Sequence, residues 1–243
     1  MATENRARAD AHGHPEGGHH HRDVSGGWLR PAVFGAMDGL VTNVSLIAGV
    51  GGGGANSHTI VLTGLAGLAA GACSMAAGEF VSVSSQNELI QAEVDKERLE
   101  LEHNAAAEQA ELATMLRHRG VSPATARQAA AEISAHPEKA LAVHALEELG
   151  IDPGELPSPL VAAGASLASF AVGALIPLIP YLAGLDVLGF ALGLAAVAAV
   201  AGGGMVARLT ARPFWRGALR QLALGAGAAG ITYLIGIFVG HVA

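Results

Sequence analysis

Glutamate recurs between residues 88 and 111 at spacings that a helix would gather onto one side. Taking about 100° per residue and Glu97 as zero, Glu93 falls at about −40°, Glu100 at about −60°, Glu108 at about +20° and Glu111 at about −40°. On one continuous helix the five carboxylates would form a stripe about 80° wide. Like charges one turn apart repel by a few tenths of a kcal/mol each, so such a stripe invites a compensating cation or a basic partner surface. The other reading is a solvated face, its charge trimmed by Lys96, Arg98 and Arg117. Further on, His144, Glu147 and Glu148 stand at i, i+3 and i+4. An imidazole with a carboxylate one turn on suits a divalent transition metal, and it is equally common on plain surfaces.

Two more carboxylates stand where the chain is apolar. Asp38, in PAVFGAMDGLVTNVSLIAGV, lies about two turns inside a long apolar run. Aspartate at a bilayer centre costs about 2.5 to 3.5 kcal/mol even on the lower scales. Asp38 therefore either reaches hydrated headgroups or faces a polar path, with Thr42, Asn43 and Ser45 nearby in sequence. Glu79, in MAAGEFVSVSSQNE, comes before its apolar run has clearly ended, and Met75 is one helical turn earlier on the same face. A carboxylate with a thioether fits a borderline cation such as Fe²⁺ better than Ca²⁺ or Mg²⁺. The HGHPEGGHHHRD stretch could gather transition metals loosely through its five histidines, in a Gly-rich setting with no fixed geometry.

The elements that must hold these residues follow from composition. Of 243 residues 51% are hydrophobic and 14% charged, and the mean hydropathy is +0.41; a soluble domain carries about 25% charged residues. Apolar segments long enough for a bilayer fall near 31–51, 58–81, 159–182, 186–207 and 217–240. Between the second and third lies a polar stretch, 82–156, with fourteen carboxylates and six Lys or Arg. Glu88 to Arg119 lacks Pro and Gly and reads as one long helix or two, with Gly120 a natural stop. Ser122-Pro123 and His136-Pro137 read as helix starts, the second helix ending at Gly150. GLAGLAAG, 64–71, suits close helix packing or dimerisation, and Pro177 and Pro180 should kink or break the third span. No cleaved signal pattern precedes the first span.

The Lys and Arg residues all fall before span one, between spans two and three, or around the turn between spans four and five. The positive-inside rule then places the N-terminus and the acidic segment in the cytoplasm and the C-terminus outside. A net charge of −7 leaves no basic face for nucleic acid. The single cysteine, Cys73, excludes an internal disulfide. Neither a hydrolytic Ser/His or multi-His set in the spans nor a nucleotide loop is present, so an enzyme is not expected.

FGAMDGLVTNVSLIAGV, SMAAGEFVSVSSQNE, an acidic insert ending in HALEELGI, and GALIPLIPY, in this order, resemble the vacuolar iron transporter family and its nodulin-21-like bacterial branch. The resemblance covers roughly residues 28–241. It implies a homodimer of five-span subunits that exports Fe²⁺, and often Mn²⁺, from the cytosol in exchange for protons. By motif it makes Asp38 and Met75 intramembrane metal-handling residues, with Glu79 close to the entrance. It matches Glu97 and Glu100, then Glu108 and Glu111, to paired cytoplasmic glutamates, and Glu148 to a further ligand. His144 stands about a turn before Glu148, where the family pattern has methionine. The family also turns the chain between the two glutamate pairs, whereas HNAAAE here has neither Pro nor Gly.

The resulting expectation is an all-α integral membrane protein: five transmembrane helices with a cytoplasmic helical metal-binding domain inserted between helices 2 and 3. Its organisation is a His-rich tail at 1–27, spans one and two at 28–81, the acidic domain at 82–156 and spans three to five at 157–243. Its partners are divalent metal ions, protons, the lipid bilayer of a bacterial inner membrane and a second copy of itself. Metal is substrate and no cofactor is expected. The rival reading is a non-transporting membrane protein whose acidic domain senses metal or docks a partner.

Overall fold

The computed structural model describes residues 27–242; the His-rich stretch of the tail lies outside the described residues. Every regular element among these is helical. Helices α1 (Leu29–Gly52), α2 (Ser57–His103), α3 (Ala105–His118), α4 (Pro123–Ser134) and α5 (Pro137–His144) come first. A π-helical turn, Ala145–Leu149, extends α5. Then follow α6 (Pro159–Leu175), a 3₁₀ turn at Ile176–Leu178, α7 (Ile179–Leu182), α8 (Leu188–Leu209) and α9 (Phe214–Val242). Five segments are long and apolar enough to cross a membrane: α1, α2, Pro159–Leu182, α8 and α9. They coincide with the five apolar runs of the sequence, and α3 to α5 lie between the second and third.

Helix α2 is 47 residues long, roughly 70 Å at 1.5 Å per residue. A hydrocarbon core about 30 Å thick uses less than half of that. Asn56 starts the helix, its side chain accepting from the Thr59 amide at 2.9 Å. No proline or glycine interrupts the passage from MAAGE into the acidic stretch apart from Gly78, and the helix runs through it unbroken. It stops at Asn104, which sits at φ −127°, ψ 31°. The Asn104 amide still donates to the Glu100 carbonyl, while its own carbonyl accepts from Ala107 and Glu108. Asparagine tolerates that double duty because its polar side chain favours helix ends over interiors. The stretch 88–119 is thus two helices, and the single stripe of five glutamates does not form.

Helix α1 is the hub of the membrane part, packing on α2, α6, α8 and α9. Its crossing with α6 is close because Gly39 faces the Phe170 carbonyl and Gly173 faces the Ala36 carbonyl. A side chain at either place would occupy the space of the other backbone, as expected where small residues let helices approach in lipid. The glycines of GLAGLAAG serve packing within the chain: Gly64, Gly67 and Gly71 accommodate Leu178, Leu46 and Phe170. Pro177 and Pro180 break the third span into α6, the 3₁₀ turn and α7. The Asn43 amide nitrogen of α1 donates to the Ala174 carbonyl beside that break. Protein, rather than a wet cavity, satisfies that carbonyl.

Two small apolar clusters hold the polar helices. Ile90 and Val94 of α2 pack on Leu141 and Ala145, and Leu112 and Ala113 of α3 pack on Ala130 of α4. Asn87 of α2 donates to the Pro157 carbonyl at 2.9 Å, tying the long helix to the segment that re-enters the membrane part. Ser122 and Ser158 cap α4 and α6, each with proline next, as their sequences indicate.

Gly39→Leu should lower the thermal midpoint of the detergent-solubilised protein, by an overpacking cost of about 1–3 kcal/mol or more. Gly164→Ala, which meets nothing within 4 Å, should leave it nearly unchanged. Equal midpoints for the two variants would contradict the close α1–α6 crossing.

Candidate metal site

The break at Asn104 lets α3 bring Glu108 to the side of Glu97. Proline at the start of α5 sets the last polar helix running toward them, and its final residue is His144. The imidazole is fully buried. Its Nδ1 lies 3.1 Å from Glu97 Oε1, 3.2 Å from Glu148 Oε1 and 3.7 Å from Glu108 Oε2. Ligand-capable atoms of Glu97, Glu108, His144 and Glu148 all lie within 4.8 Å of one another. Glu148 arrives through the π turn that follows His144, which ends at Gly150 in the left-handed region, φ 68°. A π turn widens the helix locally and is often found where a side chain must be re-aimed at a site.

One ring nitrogen cannot satisfy three carboxylates, since it carries at most one proton. Only the Glu148 contact has hydrogen-bond geometry. Glu97 Oε1 and His144 Nε2 are left buried without a hydrogen-bond partner. Burial raises the Glu97 pKa above the ordinary glutamate value; the Glu148, Glu108 and Glu100 carboxylates add to the rise, and His144 opposes it. Burial likewise raises Glu108, reinforced by Glu111, Glu100 and Glu148 and again opposed by His144. The nearby cations do not relieve this. Lys96 pairs with Glu93 at 3.9 Å, Arg98 with Asp95 at 2.7 Å and Arg119 with Glu147 at 3.0 Å. Among the described residues, no Lys or Arg is within ion-pair distance of Glu97, Glu108 or Glu148. Oxygen-rich ligation completed by one imidazole is the donor set of a borderline divalent metal.

The remaining sequence candidates fall outside the four-residue group. Glu100 and Glu111 are exposed on its margin and act on it through charge. Glu93 is exposed and faces Lys96 instead. Asp38 is half-buried and accepts from Thr42 Oγ1 at 3.4 Å. Met75 packs beside Ala72, Phe170 and Ala174, and Glu79 is half-buried one turn further along α2. Asn43 is buried, with its Oδ1 unpartnered, and its amide closes the α6 break rather than joining Asp38. The complete burial of His144 and the Arg119–Glu147 pair had no sequence signal, because both depend on how α3 and α5 meet.

Comparison with known proteins supports one lineage. A vacuolar iron transporter of Acanthamoeba castellanii is 40% identical over 165 residues, 67% of this chain and 59% of that protein. Vacuolar iron transporter homolog 1 of Oryza sativa subsp. japonica is 35% identical over 209 residues, 86% of this chain and 67% of its own length. Vacuolar iron transporter homolog 3 of Arabidopsis thaliana is 52% identical over 88 residues, 33% of this chain and 44% of its own. The chain therefore spans between 44% and 67% of the length of these relatives. The model of the VIT family matches residues 29–237, nearly the whole described chain, and this multi-pass integral membrane protein belongs to that family.

Proposed function

We propose that this protein carries divalent transition-metal ions, Fe²⁺ first and Mn²⁺ second, out of the cytosol in exchange for protons. The observation that carries the proposal is the convergence of Glu97, Glu108 and Glu148 on buried His144. That cluster stands at the far end of the helix whose other half lies at membrane level. Glu100 and Glu111 would draw cations toward it by charge. Glu79, Met75 and Asp38 would then hand the ion through the membrane between two subunits. The membrane windows of α2 and α9 are only 17% and 11% buried within one chain, which leaves room for a second copy. The basic residues of the α8–α9 turn and the start of α1 support a cytoplasmic placement of the cluster. The named relatives are transporters, in keeping with a role that makes and breaks no covalent bond.

Metal and proton compete for the same oxygens. Carboxyls with raised pKa values hold protons that a bound cation must displace, so loading releases protons and low pH empties the site. That competition is the simplest chemical basis for exchange. The same shifts couple to stability. A carboxyl that binds its proton more tightly when folded favours the fold below the ordinary glutamate pKa of 4.5. It loses that contribution as pH rises through the raised value.

With metal chelated, the thermal midpoint should therefore contain a component that falls as pH rises above 4.5. Mn²⁺ should restore it at neutral pH, and a metal-free midpoint independent of pH in Glu97→Gln/Glu108→Gln would identify the groups responsible. By calorimetry the same double variant should weaken Mn²⁺ binding by more than the roughly 10- to 100-fold that loss of an outer-shell partner costs. Unchanged affinity would remove the cluster from the proposal. In reconstituted vesicles, Asp38→Ala should abolish Fe²⁺ flux while the protein stays folded and still binds metal. Normal flux would take Asp38 out of the path, and absence of flux in the wild type would favour a metal sensor.

A further inference from the structure

The turn between α8 and α9 concentrates positive charge. Arg208, Arg212, Arg216 and Arg220 follow one another at intervals of four, and no Asp or Glu occurs after Asp186. Among the described residues none of the four forms an ion pair with a carboxylate. Arg212, Arg216 and Arg220, with Thr210, Ala207 and Gly217, surround a cavity of about 290 Å³. The three arginines thus border one open space of the turn. Arg216 and Arg220 stand one turn apart on α9, where like charges are mutually destabilising, and the cavity beside them gives an anion room to offset the repulsion.

Residue type and position narrow the anion. All four bases are arginine, whose planar fork grips phosphate oxygens in pairs where lysine offers a point charge. An orientation signal alone would accept either residue and would need no cavity. The turn joins two membrane-crossing helices, so it lies at headgroup level on its side of the bilayer. Arg208 stands over the Phe214 ring at 5.1 Å and Arg216 over the Trp215 ring at 5.3 Å. Trp215 is exposed, and tryptophan is a residue that holds a segment at the lipid–water interface. Basic pockets between transmembrane helices at this depth bind acidic lipid headgroups.

We propose that the Arg212–Arg216–Arg220 cavity is a binding site for the phosphate of an anionic glycerophospholipid. The site is separate from the metal cluster, and its test involves no metal. The full-length protein in detergent is mixed with dioleoylphosphatidylglycerol, with dioleoylphosphatidylcholine, or with glycerol phosphate, and bound species are counted by native mass spectrometry. The wild type should retain phosphatidylglycerol over phosphatidylcholine. Each Arg→Gln change should weaken that retention about fivefold, from about 1 kcal/mol per basic residue near a membrane surface. R212Q/R216Q/R220Q should lose the preference, and R212K/R216K/R220K, which keeps the charge, should recover part of it. Thermal melting of both triple variants establishes that they are folded. Equal retention of the two lipids by the wild type would overturn the proposal, as would an undiminished preference in the triple Gln variant. Displacement of phosphatidylglycerol by equimolar glycerol phosphate would overturn the lipid as the source of the phosphate.

Discussion

One uninterrupted backbone hydrogen-bond ladder, from Ser57 to His103, sets the geometry of everything else. A helix of that length is a stiff rod, and it places Met75, Glu79 and Glu97 on a single body. The polar helices do not hang from the membrane part by a loose linker. They pack on the outer half of the rod through Ile90 and Val94, and Asn87 ties the rod to the start of the third span. Any shift in the cluster around His144 is therefore borne by the same element that lines the membrane part.

Charge is distributed in a way that serves this arrangement. Lys96, Arg98 and Arg119 pair with Glu93, Asp95 and Glu147, which sit outside the cluster. The carboxylates facing His144 are left to one another. Burial and mutual charge raise the pKa values of Glu97 and Glu108 there, and Glu97 Oε1 and His144 Nε2 stay buried without a hydrogen-bond partner. The opposite imbalance occurs at the α8–α9 turn, where among the described residues no arginine pairs with a carboxylate.

Inside the membrane part, proximity replaces the hydrophobic effect as the organising force. Glycine at Gly39 and Gly173 lets α1 and α6 touch backbone to backbone. Beside the prolines that break the third span, Asn43 of α1 donates to the Ala174 carbonyl, while the Gly173 and Ile176 carbonyls accept from the Ile176 and Ile179 amides. The polar residues after Asp38 thus divide their work: Thr42 meets Asp38, whereas Asn43 bonds to a neighbouring helix.

Much of this was legible in the order of residues. Runs of about twenty apolar residues have no alternative to spanning helices, and Ser-Pro pairs mark helix starts by local chemistry alone. The continuity of α2 followed from the absence of strong helix breakers, and Glu97, Glu108, His144 and Glu148 were all candidates by type and spacing. The sequence could not separate them from Glu93, Glu100 and Glu111, because helical phase counts only along one rod and the chain leaves that rod at Asn104. Asparagine ends a helix only when something beyond it rewards the turn, here the packing of Leu112 on Ala130. That packing, together with the π turn after His144, decided which carboxylates meet. Leu112 and Ala130, and His144 with Glu97 and Glu108, belong to different helices, and local propensity carries no information about such contacts.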